Sequence, residues 1–298
     1  MTDKITVAEL QAMKPAGRKI VMVTCYDYTC ARIADKAGVD AVLVGDSLGM
    51  TMLGYENTLA VTMEDMITYT KSVVRGAKRP FIIADMPFMS YQTSTEEAVR
   101  NAGRLIKETG AHCVKLEGGA AVADRIRAIT ECGIPVCAHI GMTPQSVNAF
   151  GGFKVQGKGE ANAERILRDA LAVQEAGAFM VVLECIPPKL AALITSKLAV
   201  LTVGIGAGPS CDGQVLVMQD LLGMNDGFAP KIMRRFADAG SVMEKGFADY
   251  AAAVRSGAFP TVENSFPKSD CSDAFLQTLA EKNCRLRRNS NDYRHHRR

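Results

Sequence analysis

Four acidic residues stand where short apolar runs give way to polar or glycine-rich sequence: Asp46, Asp85, Glu117 and Glu184. Two cationic candidates share that setting, Lys115 and His139. Carboxylates so placed are withdrawn from water, and a buried carboxylate must be paired, hydrogen-bonded or metal-bound. Four acids against one sure cation leave an excess of negative charge. A hard divalent ion would resolve it, most simply Mg²⁺ held by two carboxylates, with positions left for water and substrate. Each residue alone also has a plainer reading. Asp46 and Asp85 could each cap the following helix. His139 could be a satisfied core residue, and Lys115 with Glu117 an ordinary ion pair. The chemical reading rests on all of them falling at the same end of successive runs.

Those runs define the elements that must position the acids. Ile20–Thr24, Ala41–Gly45, Phe81–Asp85, Cys113–Leu116, Val136–Ile140, Met180–Leu183 and Val200–Ile205 read as continuously apolar strands. Such strands belong in a parallel sheet covered on both faces. Amphipathic stretches follow them: Tyr28–Ala37, Met63–Arg75 behind Thr62, Thr95–Thr109, Ala121–Cys132, Ala161–Ala176 and Pro188–Lys197. Gly38, Gly110, Gly133 and Gly177 supply the helix stop before the next strand. An eighth strand is expected within Gln214–Leu222, where Val215-Leu216-Val217-Met218 could equally start a helix. Eight alternating units in about 260 residues predict an α/β fold, a (β/α)8 TIM barrel, ahead of a doubly wound open sheet. In such a barrel, function sits at the C-terminal strand ends, where the acids lie.

Composition narrows the class further. The 298 residues are 48% hydrophobic and 22% charged, a globular balance with a formal net charge of +3. The charge is uneven: 267–298 holds eight bases and four acids, a net of +4, leaving 27 bases and 28 acids before it. The body therefore lacks the basic excess expected of a nucleic-acid-binding surface. The patterned catalytic barrel is expected over 1–266. The basic extension 267–298 is expected to be largely disordered beyond a short helix within 268–280. No apolar run is long enough to span a bilayer, and Met1–Lys19 carries no apolar core of a secretory signal. The nine Cys form no C-x-x-C pair and read as reduced thiols of a cytoplasmic protein. Only His112 and His139 lie in the body, which argues against zinc.

The strand-end motifs are similar to those of the ketopantoate hydroxymethyltransferase family. They include Val44-Gly45-Asp46-Ser47-Leu48-Gly49-Met50, Ala84-Asp85-Met86-Pro87-Phe88-Met89 and Val114-Lys115-Leu116-Glu117-Gly118-Gly119. They continue with His139-Ile140-Gly141-Met142-Thr143-Pro144-Gln145-Ser146, Phe150-Gly151-Gly152-Phe153-Lys154-Val155-Gln156-Gly157, Leu183-Glu184-Cys185-Ile186-Pro187 and Gly204-Ile205-Gly206-Ala207-Gly208. The match runs from Thr6 to Phe266, so the extension takes no role by analogy. The resemblance implies a (β/α)8 barrel of the phosphoenolpyruvate/pyruvate type that forms homo-oligomers, typically decamers. It also implies transfer of a hydroxymethyl group from the co-substrate 5,10-methylenetetrahydrofolate to 3-methyl-2-oxobutanoate, giving ketopantoate for pantothenate and coenzyme A biosynthesis.

Roles follow from the resemblance residue by residue. Asp46 and Asp85 match Mg²⁺-binding aspartates that also meet the substrate. Glu117 matches a third acid of the metal site, direct or through water. Ser47 and Lys115 match residues that hold the keto acid, His139 a substrate-side polar residue, and Glu184 the general base. The segment Gly151–Gly159, with Lys154 and Lys158, is the candidate lid or folate-side loop. A C–C lyase or mutase acting on Mg²⁺-bound 2-oxo acids is the rival enzyme reading. A scaffold that binds nucleic acid through its tail is the rival of another class, resting only on the terminal arginines.

Overall fold

The computed structural model describes residues 4–225, 234–266 and 271–282. Eight parallel strands close into a barrel in chain order: β1 (Ile20–Thr24), β2 (Ala41–Val44), β3 (Phe81–Asp85), β4 (Cys113–Glu117), β5 (Val136–Gly141), β6 (Met180–Glu184), β7 (Leu201–Ile205) and β8 (Gly213–Leu216). The ambiguous segment divides: its first half pairs with β1 and β7, and Met218–Leu221 is a single helical turn.

The helices are α1 (Val7–Met13), α2 (Tyr28–Lys36), α3 (Leu48–Thr51), α4 (Met63–Gly76), α5 (Thr95–Thr109), α6 (Ala123–Glu131), α7 (Val147–Phe150), α8 (Glu160–Glu175), α9 (Pro188–Lys197), α10 (Met218–Leu221) and α11 (Ala239–Ser256). Their starts show which residues act as caps. The side chain of Asp27 caps α2, Thr62 caps α4 and Ser94 caps α5. Asp46 and Asp85 cap nothing, so the plainer reading of those two acids fails. Helix α1 has no counterpart in the sequence reading, although its capping box, Thr6 with Glu9, is a recognisable start signal. Ile5, Leu10 and Met13 join Ile20, Met22, Phe179 and Leu201 in the inner core, closing the N-terminal end of the barrel.

The strand period of two explains how one face carries both core and chemistry. The inner core takes Ile83 from β3, Cys113 from β4, Cys137 from β5 and Val182 from β6. Two residues further along the same strands come Asp85, Lys115, His139 and Glu184, and Glu117 lies two beyond Lys115. The intervening Ile82, Ala84, Val114, Leu116, Ala138 and Val181 belong to the outer core under the helices.

The chain divides into two compact units, Met1–Gly240 and Ser241–Arg298. The expected boundary at 266 falls inside the second unit. That unit carries most of α11, a turn of 3-10 helix at Val262–Asn264 and a helix over 273–282, which overlaps the short helix expected within 268–280. The arginine-rich stretch from Arg285 to Arg298, expected to be disordered, lies outside the described residues. No described helix is long and apolar enough to cross a membrane.

Candidate active site

Strand register brings the sequence-flagged residues together. Asp85 is the Cα partner of Lys115, Glu117 of His139, and Gly141 of Glu184. All six flagged acids and bases, with Ser47, line one cavity of about 170 Å³ at the C-terminal end of the barrel. That is well below the roughly 300–1,000 Å³ of a drug-sized site, so the cavity suits a small substrate. A larger apolar groove of about 320 Å³ lies on the outer face of β1 and β8. Its lining of residues such as Val21, Ile33, Leu216 and Phe236 offers no acid or base.

The acids differ in what holds them. Lys115 Nζ donates to Asp85 Oδ1 at 2.5 Å, and Glu117 Oε1 lies 3.9 Å from the same nitrogen. Asp85 Oδ2 accepts the Asp46 main-chain N–H at 2.9 Å. Glu117 Oε2 accepts the main-chain N–H of Gln145 at 2.9 Å. His139 stands between two carboxylates, with Nδ1 3.3 Å from Glu117 Oε1 and Nε2 3.2 Å from Glu184 Oε2. Neither approach is aligned as a hydrogen bond, and both nitrogens and Glu117 Oε1 are without a partner by that criterion. The attraction there is one of charge, and His139 is not the satisfied core histidine of the plainer reading.

Burial and neighbouring charge set the protonation tendencies. Desolvation pushes the Asp46 carboxyl well above its ordinary range, and the charges of Asp85 and Glu117 push the same way. Desolvation also raises Asp85, partly offset by Lys115. Glu117 goes down despite burial, because His139, Lys115 and the Gln145 N–H favour its charged form. Burial opposes the charge of Lys115, but the surrounding acids outweigh it and raise its pKa. His139 follows the same logic: burial and Lys115 oppose its protonation, and Glu117 and Glu184 override them. Asp46, Asp85, Glu117, Lys115 and His139 are all buried, whereas the Glu184 side chain is 17% exposed and stands at the rim.

Among the described residues no three of His, Cys, Asp or Glu converge as a ready-made metal cage. The donors present instead fit an ion that takes one or two carboxylates from protein and the rest of its oxygens from water and substrate, the habit of Mg²⁺. Asp46 is the acid least compensated by the chain, with Lys115 bonded to Asp85 and not to it. Glu117, engaged by Gln145 and His139, is better placed to act through a water than directly.

Several participants escaped the sequence reading. Tyr26, fully buried, places its hydroxyl 2.8 Å from Ser47 Oγ. Thr58 lines the cavity with a buried hydroxyl that has no partner. Gln145 lies within the His139–Ser146 motif, where the sequence assigns it no role. Its neighbours Thr143, Pro144 and Ser146 are not apolar, so no local pattern marks it as buried. From the candidate lid, Phe153 reaches the cavity, and Gln156 N donates to Cys185 O at 3.0 Å, tying the segment to the turn after Glu184. Lys154 and Lys158 do not line the cavity. Gly141 permits a close approach of backbone to backbone: with φ at +99°, an added Cβ would lie 2.2 Å from Glu184 O.

The profile of the family described as ketopantoate hydroxymethyltransferase matches residues 4–262. A 3-methyl-2-oxobutanoate hydroxymethyltransferase of Clostridium novyi is 56% identical over 263 residues, spanning 88% of this chain and 96% of its own length. The enzyme of that name from Enterococcus faecalis is 55% identical over 267 residues, spanning 90% of this chain and 97% of its own. Among solved structures, phosphonopyruvate hydrolase in complex with oxalate and Mg²⁺ superposes with a TM-score of 0.58 at 13% identity, covering 95% of this chain and 98% of that one. A 2,3-dimethylmalate lyase of the PEP mutase/isocitrate lyase superfamily gives 0.56 at 17%, covering 96% and 98%. These structural likenesses bear on the barrel alone.

Proposed function

The chain belongs to the ketopantoate hydroxymethyltransferase family, and on that premise we propose that it makes ketopantoate from 3-methyl-2-oxobutanoate and 5,10-methylenetetrahydrofolate with the aid of Mg²⁺. The observation that carries this reading is one small cavity in which Asp46, Asp85, Glu117, Lys115, His139 and Glu184 meet. Asp46 and Asp85 would hold the ion, with Glu117 behind it through water. A bound Mg²⁺ would supply Lewis-acid stabilisation of the negative charge that grows on the keto oxygen.

The chain's own residues account for the rest. Ser47, its hydroxyl held by Tyr26, and Lys115 bind the keto acid. Lys115 adds a fixed positive charge where the oxyanion develops, in a site that excludes water. Glu184 stands at the rim with its carboxylate turned to His139 and takes the proton from C3. Water adds to the folate methylene carbon, whose bonds to N5 and N10 break as the two nitrogens take up the protons of that water, so the carbon is released at the formaldehyde level and tetrahydrofolate leaves. The electron pair of the broken C3–H bond forms the new C–C bond to that carbon, and its oxygen takes the proton held by Glu184 and becomes the hydroxyl. The folate is too large for the cavity and meets the keto acid from the mouth, where Phe153 stands. Cys185 needs no covalent role, because burial pushes its thiol up to about 11. The reading places the protein in the cytoplasm, where thiols stay reduced. A homo-oligomer, as in the decamers of the family, completes the reading.

The test is to incubate the protein with 3-methyl-2-oxobutanoate and 5,10-methylenetetrahydrofolate, with and without Mg²⁺, and measure ketopantoate. Product that needs both folate and metal is expected. Cleavage of a larger 2-oxo acid without folate-dependent product overturns the reading.

A further inference from the structure

Gln145 is 6% exposed, and all four hydrogen-bonding positions of its side-chain amide are filled. Nε2 donates to Asp46 Oδ2 at 2.9 Å and to Met86 O at 3.0 Å. Oε1 accepts from the Tyr91 hydroxyl at 2.6 Å and from Gln92 Nε2 at 3.1 Å. The orientation of the amide is therefore determined. The Met86 carbonyl can only accept, so the NH₂ must face it, and the oxygen then faces Tyr91. The same residue's main-chain N–H bonds Glu117 Oε2. Tyr91 is itself anchored, its hydroxyl accepting the Glu117 N–H at 3.0 Å.

One residue thus grips two acids of the cavity, by its side chain and by its backbone. Among the described residues, its amide is the one side-chain donor to the Asp46 carboxylate, and no hydrogen bond engages Asp46 Oδ1. Lys115 is committed to Asp85. Without Gln145, Asp46 would have nothing to fix its rotation about the carboxyl axis. We propose that Gln145 is a positioning residue for the divalent-ion site: oriented by Tyr91, it holds Asp46 by one oxygen so that the other is presented to the cavity. This rests on the Mg²⁺ reading above. Neither Gln145 nor Tyr91 touches the reacting atoms.

The test is a titration with Mn²⁺ in the presence of 3-methyl-2-oxobutanoate and the absence of folate, read by the electron paramagnetic resonance of free Mn²⁺. No turnover is involved. Thermal unfolding without metal is measured in parallel. Gln145→Met, similar in size but without donors, should bind the ion about 10- to 100-fold more weakly, the usual cost of losing a residue that orients a ligand. Tyr91→Phe removes a single hydroxyl and keeps the ring, so it carries the test even if Gln145→Met fails to fold. It should weaken binding severalfold, because the amide loses its strongest orienting bond. Unchanged ion affinity in the folded variants, whatever their Tm, overturns the proposal, since a merely structural role would move only the Tm. An unaltered protein that binds no Mn²⁺ overturns the metal reading itself, and this inference with it.

Discussion

Lys115 Nζ lies 2.5 Å from Asp85 Oδ1, with both side chains almost wholly withdrawn from water. Register places them side by side on β4 and β3. Such a pair adds little net stability, but breaking it strands a buried charge. Lys115→Met should therefore cost about 3–5 kcal/mol in urea unfolding of the metal-free protein. A variant as stable as the parent would show that Asp85 needs no partner.

Asp46 presents the opposite case. Its carboxyl is raised above the ordinary 3.8 by burial, then by the charges of Asp85 and Glu117. A folded-state pKa above the unfolded one contributes stability that is complete below pH 3.8 and lost as pH rises through the folded value. Ionised Asp46 thus weakens the metal-free fold at neutral pH. Asp46→Asn, which can still present an oxygen to Gln145, should raise the Tm at pH 7, with the gain vanishing as pH falls towards 3.8. The same variant should lose Tm stabilisation by Mg²⁺ with keto acid. A lower Tm at pH 7 than the parent would contradict the sign.

Glu184 is the residue whose loss should separate binding from chemistry. In Glu184→Gln, exchange of the C3 proton of 3-methyl-2-oxobutanoate with D₂O, followed by NMR, should fall by about 10²- to 10⁴-fold. Keto-acid binding measured by calorimetry should persist. Exchange at the parental rate would assign the base elsewhere.

The Tyr26–Ser47 contact predicts a subtler effect. Tyr26→Phe removes a hydroxyl 2.8 Å from Ser47 Oγ and leaves the packed ring. A hydrogen bond worth about 1 kcal/mol corresponds to roughly fivefold weaker keto-acid binding, with kcat little altered. A fall in kcat at constant KM would mean that Ser47 acts in the transition state instead.

Among the described residues, none of those lining the cavity lies beyond Val217. Truncation after Phe266 should leave kcat and KM unchanged. Loss of activity on truncation would give the basic extension a catalytic or assembly role.

Local sequence was enough for the barrel and most of the site's membership. Continuously apolar runs report strands buried on both faces, and they delimited β1 and β3 to the residue. The ends of successive runs then gathered Asp46, Asp85, Glu117 and Glu184 at one end of the barrel from local sequence alone. Helix α1 was overlooked because seven residues carry too little periodicity to stand out. Pairing was beyond local pattern. That Lys115 serves Asp85 before its near neighbour Glu117, and that His139 stands between Glu117 and Glu184, follow from strand register and barrel closure. Gln145 was hidden for the same reason. Its partners Asp46, Met86, Tyr91 and Gln92 lie 53 to 99 residues away in sequence. Hydrophobic patterning is written residue by residue, whereas directional contacts between distant side chains come into being only when the sheet closes.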